Sequence, residues 1–116
     1  MILLYLNNMR SRDIHYGKPT VINAVEHLEL FLKEVKRSES IVEVITGYGS
    51  TSGNSKIKNA VIKRLEELKE VNYIKDFICG NELDIFNVKY KNFKYKMLLT
   101  EEVKRSKNPG AVYIIL

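Results

Sequence analysis

Apolar residues recur along this chain in two rhythms. Val21, Val25, Leu28, Leu32 and Val35 step by four, three, four and three, one stripe of a helix, widened by Ala24 and Phe31. Thr20 stands just before them with a hydroxyl that can accept an early free N–H, so the pattern predicts a helix from Val21 to about Lys36. Ile57, Val61, Leu65 and Leu68 make a second stripe, with Ser55 as its expected cap and lysines and glutamates on its other faces. The other rhythm is short and β-branched. IVEVI (41–45) predicts a strand, and MILLYL (1–6) a buried first strand followed by a polar, basic connection, NNMRSR. Gly17 and Pro19 punctuate DIHYGKP as a turn. YIKDFI (73–78) is a weaker strand, and NPG (108–110) marks a turn before a closing strand, AVYIIL. From Asp84 to Lys107 there is no clean period, and FNVKYKNFKYK (86–96) reads as a strand or as a loop packed by its own rings.

Strands alternating with helices imply an α/β fold, a two-layer sandwich with a small sheet and two main helices, consecutive strands running mostly parallel. The 116 residues suffice for one domain, 1–116, with one core, and no internal repeat divides them. No apolar run approaches the roughly 18 residues of a membrane span. MILLYLN lacks the basic start and small-residue cleavage site of a signal peptide. The single cysteine, Cys79, excludes an internal disulfide; it fits a reducing cytoplasm, most simply as a small buried hydrophobe. Net charge is +5, and its placement says more than its size. Residues 85–107 carry seven basic side chains and two acidic ones, the whole excess, while the rest balances at twelve against twelve. A local excess of this kind suits a polyanionic partner, or else a solvated face.

The stretch ITGYGSTSGNSKIKNAV (45–61) runs from strand through glycine-rich loop to helix. It is not a P-loop: Gly49 and Gly53 bracket three residues rather than four, and Asn54 stands where the lysine belongs. Nor does it keep the spacing of a dinucleotide-binding loop. A helix N-terminus nevertheless offers free N–H groups and partial positive charge. Gly47 and Gly49 would let backbone approach a ligand, Ser50 and Ser55 add hydroxyls, and Lys56 and Lys58 add charge. A phosphate is the natural guest; the plain alternative is a loop whose glycines serve only its turn.

DIHYGKPTVINAVEHLELFL (13–32) resembles the Asp-Leu-His-Gly opening of the Smr (small MutS-related) domain, which leads into that domain's first helix. VEVITGYGSTSGNSKIKNAV (42–61) resembles its second motif, a His-Gly-x-Gly or Thr-Gly-x-Gly loop, and NPGAVYIIL (108–116) its last turn and strand. The resemblance implies a fold like the C-terminal domain of translation initiation factor three. It also implies nucleic-acid work: endonuclease activity on DNA or RNA, in free-standing proteins or in mismatch-repair-like or ribosome-linked ones. By position, Asp13 and His15 match the first motif, and Thr46, Gly47, Tyr48 and Gly49 the second. Lys58 stands where the family often has arginine. The departures are that Tyr16 separates His15 from Gly17, that Lys18 and Pro19 lengthen the turn, that position 46 carries threonine, a known variant, where many members have histidine, and that the segment between the second helix and the last strand is longer than in minimal domains.

Phosphodiester hydrolysis needs an activated nucleophile and stabilised charge on the phosphate. Histidine can act as base or acid because it titrates near neutrality, which suits His15. Asp13, two positions before it and so on the same side of an extended stretch, could orient the imidazole or hold a divalent ion, magnesium or manganese. Loop 46–53 with Lys56 or Lys58 would hold the phosphate. His27, beside the core stripe, reads as packing or surface, and no cysteine–histidine cluster suggests zinc. Tyr90, Phe93 and Tyr95 could stack on unpaired bases between phosphate-neutralising lysines, or bury themselves under their own loop. Two functions of different class follow: a nuclease centred on Asp13 and His15, or a module that docks on RNA, DNA or a ribosome and cuts nothing.

Overall fold

The computed structural model describes residues 9–47 and 55–116. In chain order these form β1 (Arg10–Asp13), α1 (Val21–Val35), β2 (Ile41–Ile45), α2 (Ser55–Glu70), β3 (Asp76–Cys79), the short helices α3 (Val88–Asn92) and α4 (Glu101–Ser106), and β4 (Ala111–Ile115). The fold is α/β, a mixed four-stranded sheet in the order β1-β2-β4-β3 with α1 and α2 as its helical layer. β1 pairs with β2 in parallel, Asp13 opposite Ile45. β4 lies antiparallel between β2 and β3, so β2 and β3 share a direction without touching. The expectation of mostly parallel consecutive strands therefore holds for β1 and β2, which are neighbours, and for the shared direction of β2 and β3, but not for β3 and β4, which are adjacent and antiparallel.

Periodicity explains the layers. The α1 stripe buries Leu28, Phe31, Leu32 and Val35, and α2 contributes Val61, Leu65 and Leu68. Both meet the inward residues of the sheet, Val42 and Val44 of β2, Phe77 of β3 and Val112 and Ile114 of β4. Thr20 caps α1, its hydroxyl accepting the Asn23 N–H at 3.1 Å. β4 is buried at every position because it is central and covered on both faces. The opposite face is closed by a second cluster: Ile78, Ala111, Tyr113 and Ile115 lie under Leu83, Phe93 and Leu99.

Four sequence expectations change. The polar connection RSRD is itself β1, whereas MILLYL lies outside the described residues. An edge strand can be charged where a helix supplies partners: Arg10 and Arg12 both reach Glu34 of α1, at 2.6 and 3.0 Å, and Arg12 lies over the Phe31 ring. Ser55 is the first residue of α2 rather than the residue before it. The aperiodic segment 84–107 contains α3 and α4, capped by Asn87 and Thr100. Its Phe86 is exposed, but the rings expected to stack on bases, Tyr90, Phe93 and Tyr95, do not stand free. Phe93 is buried edge-on to Tyr95 at 5.8 Å, and Tyr90 and Tyr95 pack on the second cluster. Several of its lysines have protein partners too: Lys89 lies over Phe77, Lys96 over Tyr90, and Lys107 meets Asp84 at 3.8 Å. Cys79 is buried as expected; desolvation, with Glu82 close by, pushes its thiol up to about 11. His27 sits half-buried beside Arg12. Among the described residues no helix is long and apolar enough to cross a membrane.

Candidate functional site

Strand alternation decides which residues of β1 can meet. Arg10, Arg12 and Ile14 face the helices: the arginines pair with α1, and Ile14 is buried in the helix-side core. Met9 and Ser11 face the other way, Met9 onto the second cluster and Ser11 onto Glu43 at 2.7 Å. Asp13 and His15 continue that second set past the end of the strand, while the Ile14 N–H still bonds the Ile45 carbonyl at 3.0 Å. Asp13 Oδ1 accepts from two donors of His15, the backbone N–H at 3.0 Å and the ring Nδ1 at 2.6 Å. A carboxylate only accepts, so this contact places a proton on Nδ1, and in the neutral ring Nε2 is then the nitrogen with the lone pair. Both side chains are about two-fifths exposed, 42% for His15 and 43% for Asp13, so a solvent-borne ligand can reach them.

Gly47 lies against the other edge of that imidazole. A Cβ added there would fall 2.8 Å from His15 Cδ2 and 3.1 Å from Nε2, and the backbone has φ +69°. Both facts ask for glycine: the conformation is left-handed, and a side chain would occupy the ring's place. The first glycine of the loop thus makes room for His15 rather than simply exposing backbone to a ligand. Parallel pairing of β1 with β2 produces this meeting, since it brings the ends of both strands to one edge of the molecule.

The remaining expected residues divide. Thr46 is buried at 1% exposure, and its hydroxyl donates to the Gly47 carbonyl at 2.8 Å and the Gly110 carbonyl at 3.3 Å. It fastens the loop to the start of β4, and its side chain has no route to a phosphate. That corrects the expectation for this residue; alternation along β2 turns it inward beneath the site. Lys58 donates to the Pro109 carbonyl at 2.8 Å, so its charge is held at the turn before β4. Lys56 is exposed in the first turn of α2. Tyr48, Gly49 and Ser50 lie outside the described residues, as does the side chain of Ser55.

Among the described residues no three His, Cys, Asp or Glu side chains gather to hold a metal ion, and Oδ1 of Asp13 is already taken by His15. Asp13 with His15 does not amount to a ligand set for magnesium or manganese. Beside the pair stands a residue that motif reading treats only as an insertion. Tyr16 is 85% exposed, in a turn where Gly17 and Lys18 take φ of +79° and +53°. What could have singled it out is the cost of showing a large ring to water next to an exposed imidazole. No family model, curated protein or solved structure matches this chain, so the Smr resemblance rests on the chain's own residues.

Proposed function

We propose that the chain is an Smr-like nucleic-acid-binding domain that hydrolyses a phosphodiester of DNA or RNA, with His15 transferring the proton and Asp13 positioning it. The observation that supports this most is the 2.6 Å contact between Asp13 and His15 Nδ1, with the imidazole wedged on Gly47 and open to solvent. Two neighbours fix the ring, and its free nitrogen is the one that can take a proton from water. In the reaction His15 Nε2 accepts that proton as the water oxygen bonds to phosphorus. The bond from phosphorus to one ester oxygen breaks, and the imidazolium returns the proton to the leaving oxygen. Lys56 and the N–H groups at the start of α2 supply the positive field for the phosphate.

The test is a cleavage assay on end-labelled single-stranded RNA and on supercoiled plasmid DNA, with magnesium, with manganese and with chelator. Wild type should cut at least one substrate and His15→Ala should not, while the variant still binds. Equal cleavage by both would remove His15 from the mechanism. Binding without cleavage under every condition would leave the alternative function, a non-catalytic module for RNA, DNA or the ribosome.

A further inference from the structure

The turn that follows His15 carries an aromatic ring with no burial role. Tyr16 is 85% exposed, whereas Phe31, Phe77, Phe93 and Tyr113 are each at 4% or less; among the described residues Phe86 is the other ring so exposed, and it stands in segment 86–96 rather than next to the imidazole. The turn is short and held at both ends. Asp13 grips the His15 backbone N–H on one side, and Thr20 caps α1 on the other. Between them Gly17 and Lys18 both adopt left-handed backbone, at φ +79° and +53°. For a lysine that conformation is costly, so the turn is a specified one. It presents the phenol ring to solvent one residue from the imidazole, and exposed Lys18 adds a positive charge two residues further on.

We propose that Tyr16 is a stacking platform for the base next to the phosphate at His15, and that it makes the site select unpaired nucleic acid over duplex. This rests on the nucleic-acid reading above and names the substrate class for that same site. Within a duplex both faces of each base are covered by their neighbours, so an exposed ring gains nothing from them. An unpaired base can turn its face to the ring, and such stacking changes affinity by about tenfold or more per base. Lys18 would neutralise the adjoining phosphate. The tyrosines of segment 86–96 do not serve instead, since they pack on the second cluster.

The chain contains no tryptophan, so Tyr16→Trp places a lone indole on the turn. Its fluorescence would be followed during titration with a short single-stranded oligomer, as RNA and as DNA, and with the same sequence as duplex. Binding of the labelled oligomers to wild type, Tyr16→Phe and Tyr16→Ala would be measured by anisotropy. The expected result is quenching by single strand and not by duplex, with Tyr16→Ala about tenfold weaker for single strand only and Tyr16→Phe close to wild type. Equal affinity of Tyr16→Ala and wild type for single strand, or equal quenching by duplex, would overturn the assignment while leaving nucleic-acid binding intact. If wild type binds neither form, the underlying nucleic-acid reading fails and this inference fails with it. Because Tyr16 is exposed, each variant should melt with the wild-type transition, which circular dichroism verifies.

Discussion

Replacing Gly47 with alanine probes the site and the fold together. Two costs are separable. Holding a Cβ-bearing residue at φ +69° costs roughly 1–2 kcal/mol. The new methyl would also lie 2.8 Å from His15 Cδ2, where ordinary carbon contacts begin near ~3.5 Å, so the ring must give way. His15 is partly exposed and can swing outward, but it then loses the hydrogen bond from Nδ1 to Asp13, about 1 kcal/mol. Gly47→Ala should therefore destabilise by about 2–3 kcal/mol. In a His15→Ala background only the backbone cost remains, about 1–2 kcal/mol, and the two substitutions should couple by about 1 kcal/mol. Urea unfolding of the four proteins, followed by far-ultraviolet circular dichroism, measures the cycle. Cleavage measured on the same samples should fall for Gly47→Ala nearly as far as for His15→Ala, because the imidazole is displaced though present. An unchanged cost of Gly47→Ala in the two backgrounds would refute the contact between ring and glycine, and with it the reason given for glycine at this position.

Other consequences are as direct. Gly80 follows β3 against the turn before β4, and a Cβ there would fall on the carbonyl oxygen and backbone of Asn108. Backbone cannot rotate aside as a side chain can, so Gly80→Ala should cost several kcal/mol and show as a large loss of melting temperature. Ser11, Glu43 and Tyr113 stand side by side on β1, β2 and β4, and Glu43 accepts the Tyr113 hydroxyl at 2.9 Å. Glu43→Ala should destabilise by about 1–3 kcal/mol by stranding that hydroxyl, and Tyr113→Phe added to it should recover part of the loss in a denaturant titration. Burial raises the Cys79 thiol from 9.0 to about 11, and burial followed by Glu43 raises the Tyr113 phenol. A group whose folded pKa is raised stabilises fully below its unfolded value and loses that contribution as pH climbs to the folded one. The Cys79 contribution, on the order of 2–3 kcal/mol, should thus disappear between about pH 9 and pH 11, so wild type should lose more stability than Cys79→Ala across that window.

How much of this could be read in advance depended on whether a residue's fate is set locally. Helix α1 was legible because its stripe and its cap lie within one segment, and the Thr20 hydroxyl caps it as the spacing predicts. Strand β1 was not, because RSRD carries no apolar alternation. It becomes a strand through β2 and keeps its charges through Glu34, twenty-two or more positions away. α3 and α4 escaped notice because five- and six-residue helices leave too few turns for a period, and what holds them is docking on β3 and β4. At the site, the spacing of Asp13 and His15 foretold that they share a side. Contact of the imidazole with Gly47, the inward turn of Thr46 and the tether of Lys58 to Pro109 all require strands or turns far apart in sequence.

The placement of β4 also governs the order in which the molecule can come into being. Among the described residues β3 bonds only to β4 in the sheet, and β4 also separates it from β2. A nascent chain that has emerged through Cys79 can pair β1 with β2 around α1, but among the described strands β3 has no neighbour until residues 111–115 arrive. In that interval the apolar residues Phe77 and Ile78 lack their final cover, and the thirty-one residues of 80–110 pass by before it comes. A translational pause in that stretch would hold the protein in a half-sheet with an open edge, the state most prone to wrong pairing. Arrival of AVYII then joins both halves at once. Thr46 and Lys58 also find their carbonyl partners, at Gly110 and Pro109, only with that last segment. Thr46 and Gly47, beside His15, are therefore among the last parts of the molecule to be fastened, and the wall against which the imidazole rests is set only once the fold has closed.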